Sequence, residues 1–169
     1  MIEGIKIILE RGCTVRHGLH HISFHDSSTG ELMHNLCYPI KNSFLINSQI
    51  ELLEKFNEIN NIYSDMNGLF AFAGNMHIFG FTDQSKGFLS GQRMKPVEIM
   101  SPSRMRCKGW DPDSGVIIGT SNDETFFYNF IEDQYEIWSG DLLHKKIKSK
   151  VNFYKEICCM LEKFQDKFK

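Results

Sequence analysis

Across residues 20–25 apolar and polar positions alternate. Ile22 and Phe24 point one way, and His21, Ser23 and His25 the other. A period of two marks a half-buried strand. The turn-rich stretch DSSTGE (26–31) follows, and LMHNLCYPI (32–40) can return as the partner strand, so 20–38 reads as a hairpin. The period then lengthens. Ile50, Leu53, Phe56, Ile59, Tyr63 and Met66 recur at threes and fours, which gives one apolar stripe on a helix over about 48–66. Ser48 and Glu51 have capping-box spacing at its start, with Asn47 as a rival cap. Asn67-Gly68 stops it, because both residues tolerate the left-handed conformation that ends helices.

Beyond that helix the apolar runs are short. LFAFAGNMHIFGF (69–81) reads as two aromatic-rich strands around Gly74-Asn75. Residues 82–95 read as a loop, and PVEIM (96–100) and GVIIGTS (115–121) as strands. ETFFYNF and QYEIWSG form a hairpin that turns at Glu132-Asp133. Val151, Tyr154, Ile157, Cys158, Leu161, Phe164 and Phe168 share one face of a closing helix, about 149–167. The apolar run at 5–9 fits a first strand or a short helical turn. The order is hairpin, helix, antiparallel strands, helix, without βαβ alternation. It predicts an α+β fold: an antiparallel sheet of short strands and hairpins, packed by a central helix and a C-terminal helix.

Composition adds bounds. With 169 residues, 41% hydrophobic and 24% charged, a single domain over 1–169 is expected, an N-terminal hairpin region (1–46) preceding a core from 47 onward. The first apolar run is cut off at Glu10 and Arg11, too short for a signal-peptide core or a bilayer span, so a cytoplasmic location is expected. Five cysteines with no CxxC, two of them adjacent, suit reduced thiols in that compartment.

Four of the seven histidines, His17, His20, His21 and His25, crowd into nine residues. On a strand His21 and His25 share a face but lie about 13 Å apart, too far for one metal. On a helix His17, His21 and His25 would align, but Gly18 and the alternation at Ile22 and Phe24 oppose a helix. LHHISFHD has a local likeness to the first strand of glyoxalase-type metal enzymes, though the later ligands do not fall into place. Solvated strand histidines are therefore expected, with a metal-dependent enzyme built on them as the alternative. No P-loop, GxGxxG, GxSxG or HExxH occurs. No catalytic group, metal or cofactor is expected. Trp110 and Trp138 fit either a core or a binding anchor.

The charge order is more informative than the net −2. Residues 111–141 hold Asp111, Asp113, Asp123, Glu124, Glu132, Asp133, Glu136 and Asp141 with no Lys or Arg. Lysine and arginine dominate the stretches on either side. One reading is solvated strand faces beside a lysine-rich helix. The other is an acidic surface that attracts a basic partner and speeds its docking. Nucleic acid is not expected as a partner, because the lysine-rich end lacks arginine and interleaved aromatics. No membrane partner is expected either.

INNIYSDMNGLFAFAGNMHIFGF (59–81) resembles the SUKH superfamily segment in which a helix ends in Tyr…Asn-Gly and runs into a hairpin with an apolar-Phe-Gly turn. The matching residues are Tyr63, Asn67, Gly68, Ile78, Phe79 and Gly80. DPDSGVIIGTSNDETFFYNFIEDQYEIW (111–138) is similar to the later part of that family, and the lysine-rich end to its closing helix. The N-terminal third departs from the family pattern, since no Leu-Pro precedes the helix. The resemblance implies an α+β domain that binds proteins. Many bacterial members are cytoplasmic immunity proteins that neutralise a cognate polymorphic toxin, often a nuclease, and some eukaryotic members are regulatory scaffolds. A nuclease presents a basic cleft, and an acidic surface can plug it without chemistry. The expected partner-binding residues are Asp111, Asp113, Asp123, Glu124, Glu132, Asp133 and Glu136, with Trp110 as an anchor.

Overall fold

Alternation along the strands and threefold spacing along the helices place the same residues on one buried face. The computed structural model describes residues 2–19, 21–38, 47–71, 75–81, 113–140, 143 and 145–165. Among them, nine strands form one antiparallel sheet in simple chain order, each paired with the next. The strands are β1 (Cys13–His17), β2 (His21–Asp26), β3 (Leu32–Cys37), β4 (Leu69–Ala71), β5 (Met76–Ile78), β6 (Gly115–Ser121), β7 (Glu124–Asn129), β8 (Gln134–Ser139) and β9 (Lys145–Ser149). The helices are α1 (Ile2–Glu10), α2 (Asn47–Lys55), α3 (Asn57–Asp65) and α4 (Phe153–Gln165). The fold is α+β, with an antiparallel sheet and a C-terminal helix, as its sequence pattern predicts. No described helix is long and apolar enough to cross a membrane.

One face of the sheet carries the main core. Ile22 and Phe24 of β2, Leu36 of β3, Phe126 and Tyr128 of β7, and Ile137 of β8 meet Ile5 and Leu9 of α1, Ile59 and Ile62 of α3, and Ile157 and Leu161 of α4. Helix α1 precedes one edge strand and α4 follows the other, yet the two helices pack together. Both contribute to the same core on one face of the sheet, where they meet. The opposite face holds a smaller cluster of Phe79, Ile117, Phe127 and Leu143, with Trp138 against it.

The hairpins at 21–37, 69–78 and 124–139 and the strand at 115–121 form where the pattern places them. One element left open is decided, and three differ. The run at 5–9 is helical, because Ile5, Ile8 and Leu9 share one buried stripe. Strand β1 follows it and pairs with β2, which carries the N-terminal sheet one strand past the expected hairpin. The expected helix over 48–66 is two helices, broken where Phe56 takes an extended conformation (φ −124°, ψ 98°). That break stacks the Phe56 ring on Phe130 at 4.0 Å between centroids. The closing helix starts at Phe153, because residues 145–149 pair with β8 instead. β9 is an edge strand, exposed along its whole length and rich in lysine, and charge of this kind protects an open edge from further pairing. The expected loop at 82–95, the strand at 96–100, and Gly74 and Phe168 lie outside the described residues.

His34 of β3 is buried, with its ring edge-on to Phe24. Its Nδ1 has no partner among the described residues. Burial pushes its pKa down from 6.5 to about 4. The unfolded chain therefore binds the extra proton first. The stability contributed by neutral His34 is complete above pH 6.5 and is lost as the pH falls toward 4. The expected loss is about 3 kcal/mol, since each tenfold change in proton affinity is worth about 1.4 kcal/mol. Urea midpoints measured across that range should fall more steeply for the wild type than for His34→Leu. Parallel curves would contradict the assignment.

Candidate functional site

The antiparallel run of β6, β7 and β8 sorts the acidic residues of 111–141 into separate places. Asp123 and Glu124 sit at the β6–β7 turn, where the Gly140 N–H donates to the Asp123 carbonyl. Glu132 and Asp133 sit at the β7–β8 turn, and both are exposed. Asp113 joins this second end, because the Phe130 N–H donates to the Ser114 carbonyl at 2.9 Å. Strand β7 separates the two ends by about 17 Å at a rise near 3.4 Å per residue. Trp110 and Asp111 lie outside the described residues. Among the described residues the run of negative charge is thus divided between two ends of the sheet and is not one surface.

Glu136 belongs to neither. It is 1% exposed, on the sheet face opposite the main core. Its carboxylate accepts from Lys146 Nζ at 2.6 Å, Gln134 Nε2 at 2.9 Å, Asn129 Nδ2 at 3.2 Å and Trp138 Nε1 at 2.8 Å. Burial alone would raise its pKa, but the bonds donated by Lys146, Gln134 and Trp138 outweigh it and hold the carboxyl below its usual range. Glu136, expected among the partner-binding residues, is buried with its carboxylate bonded inside the protein. Its charge is already matched inside the protein. Trp138, left open between core and anchor, is half-buried and serves as one of these donors.

An open cleft of about 570 Å³ lies where the β7–β8 turn, the first turns of α3 and the junction of β9 with α4 meet. Its carboxylates are Glu132 and Asp133 from the turn and Glu58 from α3. Its aromatic wall is Tyr128, Tyr135, Phe153 and Tyr154. Lys150, exposed at the junction, is its one described cation. Tyr135 is clamped between neighbours, its ring stacked on Phe153 at 5.0 Å and 4.9 Å from Tyr128.

The three tyrosine hydroxyls differ in what they do. Tyr128 donates to Asp133 Oδ1, and Tyr154 donates to the Asn61 carbonyl at 3.2 Å. The Tyr135 hydroxyl is buried with no partner among the described residues. Such an orphan typically destabilises the free protein by roughly 1–3 kcal/mol. Burial raises the Tyr135 pKa, and the Glu58 carboxylate raises it next, so the hydroxyl keeps its proton. As a phenol it can both donate and accept a hydrogen bond, but in the free protein it is closed to solvent. Burial and the Asp133 carboxylate raise Tyr128 in the same way.

The sequence pattern pointed to Glu132 and Asp133. It missed Glu58, Tyr135 and Phe153. Glu58 stands on the polar side of a helix some 75 residues before the turn, and no local spacing connects them. The histidines do not contribute here. His17 is exposed on β1, and His25 is held by the Gly30 carbonyl at 3.2 Å and Ser23 Oγ at 3.1 Å. His20 lies outside the described residues. Among the described residues no three His, Cys, Asp or Glu side chains gather as a metal site. Comparison of the chain with protein-family models, with curated proteins and with solved structures finds no match.

Proposed function

We propose that this chain is a non-enzymatic protein-binding domain of SUKH type, an immunity protein that neutralises a basic toxin such as a nuclease by covering its positive cleft. The observation that carries the reading is the cleft at the β7–β8 turn, where three carboxylates surround an aromatic wall. Negative potential there draws in a basic surface and raises its association rate, and the aromatic wall supplies contact area once it has docked. The resemblance of 59–81 and 111–138 to the SUKH superfamily supports the same reading.

A second reading is a regulatory scaffold that grips a helix or peptide through the hairpin at 69–81, and it needs the apolar side chains of that hairpin exposed. Among the described residues Leu69, Met76, Ile78, Phe79 and Phe81 are instead at most 5% exposed, and Phe70 is half-buried. That favours the acidic cleft over the hairpin as the place of docking.

The test is capture from a lysate of the source organism, followed by co-expression. The chain should retain a basic protein at low salt and release it at high salt, and co-expression should restore the growth of cells producing that protein. The double reversal Glu132→Lys with Asp133→Lys should do neither. Equal capture and equal rescue by the reversed variant would defeat the proposal.

A further inference from the structure

We infer that the cleft is a socket for one arginine side chain of the basic partner, its guanidinium held between the Glu58 carboxylate and the Tyr135 hydroxyl. This rests on the reading of the chain as a binder of a basic protein, and it names the group recognised and the residues that select it.

Three features lead to arginine. The first is the orphaned hydroxyl. Tyr135 is 8% exposed and its hydroxyl has no partner among the described residues, yet its ring lines an open cleft. Stacking against Phe153 and Tyr128 prevents the ring from swinging out to water. An incoming group supplies the missing hydrogen bond once the side chains lining the cleft part to admit it, because the hydroxyl is closed to solvent in the free protein. The second is the sign of the charge. Glu58, Glu132 and Asp133 face the space, and Lys150, the opposing cation, is exposed at its edge. A cation is favoured and an anion is not. The third is the geometry of the acceptors. Glu58, Asp133 and Tyr135 come from different walls of the cleft, contributed by α3, the β7–β8 turn and β8. A planar guanidinium with five N–H donors can reach several walls at once and lie against aromatic faces, whereas an ammonium presents a compact point charge. The volume, about 570 Å³, exceeds what one such side chain fills, so neighbouring partner residues enter with it.

The orphaned hydroxyl also separates a binding role from a structural one. A tyrosine kept for packing would lose nothing in recognition when its hydroxyl is removed. A tyrosine kept for recognition should bind less well and leave the free protein more stable, because removal relieves a buried unmet group.

The probe is blocked arginine, Nα-acetyl-arginine-methylamide, titrated into the isotope-labelled full chain by NMR. Blocked lysine and blocked citrulline serve as comparisons. Blocked arginine should shift the resonances of Tyr135, Tyr154 and Glu58, blocked lysine should bind at least threefold more weakly, and blocked citrulline should produce no shift there. Tyr135→Phe should weaken the arginine at least threefold while raising the melting temperature, and Glu58→Gln should weaken it at least as much. No shift with arginine, equal shifts with citrulline, or unchanged arginine binding by Tyr135→Phe would overturn the inference.

The captured basic partner distinguishes this inference from the reading beneath it. If Glu58→Gln/Tyr135→Phe binds that partner unchanged while Glu132→Lys/Asp133→Lys does not, the arginine socket falls and the acidic surface stands. If both variants bind it unchanged, both fall. Loss of affinity in both variants supports the socket.

Discussion

Replacing Lys146 with methionine should cost about 3 kcal/mol of stability at neutral pH, read as a shift in the urea midpoint, because it strands a charge inside the protein. The two partners are unequally placed. The Glu136 side chain is 0% exposed and that of Lys146 is 40% exposed, so the lysine gives up little hydration while the carboxylate depends on it. Three further donors, from Gln134, Asn129 and Trp138, remain in the variant, which sets the effect at the lower end of the range for broken buried pairs. The pH dependence fixes the sign. In the wild type the Glu136 pKa is held down, so its contribution is present above the ordinary carboxylate range and fades as the pH falls through the depressed value. Without Lys146, burial dominates and the carboxyl takes up a proton earlier. The deficit of Lys146→Met should therefore shrink toward pH 4. Adding Glu136→Gln should recover part of the loss, as a double-mutant cycle reads it. A deficit that is constant with pH would mean that Lys146 acts through packing alone.

A comparable loss is expected at the α3–β4 junction. Asn67 is 2% exposed and bridges to Phe81 twice, donating Nδ2 to its carbonyl at 2.8 Å and accepting its N–H at Oδ1 at 2.6 Å. Asn67→Ala leaves both backbone groups of Phe81 unmet in the core, for about 3 kcal/mol. Gly80 makes this approach possible. A Cβ there would stand 2.4 Å from Asn67 Oδ1 and 2.6 Å from the Asn67 carbonyl carbon and oxygen. Gly80→Ala should cost about 2 kcal/mol by overpacking. Because both changes break one contact, the double variant should lose clearly less than the sum of the two. Chemical denaturation of the four proteins tests this, and strict additivity would contradict the shared clamp. Asn67 and Gly80 thus have a physical reason to occur together.

How much of this was legible depends on whether the information is local. The apolar runs ETFFYNF and QYEIWSG around Glu132-Asp133 declare the β7–β8 hairpin, and the structure forms it. They do not declare that both of its faces are buried, Phe127 and Glu136 on one and Phe126, Tyr128, Tyr135 and Ile137 on the other. The lysine-rich β9 has no apolar alternation to read, so its residues run on into the pattern of the closing helix. The break at Phe56 is equally silent, since the stripe continues across it and the rings that Phe56 packs against, Tyr128 and Phe130, lie some 72 and 74 residues away. The candidate site shows the same division. Charge counting reached Glu132 and Asp133 but could not tell that Glu136 is matched inside, or that Asp123 and Glu124 face the other end of the sheet. Glu58 and the orphaned Tyr135 hydroxyl become a site only when α3, β8 and α4 meet.

The most direct test of the acidic cleft is the association rate of the captured basic partner, measured by stopped flow over a series of salt concentrations. For the wild type the rate should fall steeply as salt rises. For Glu132→Lys with Asp133→Lys it should start about tenfold lower or more at low salt and vary little. Identical rates and identical salt slopes for the two proteins would contradict a partner steered to the β7–β8 turn.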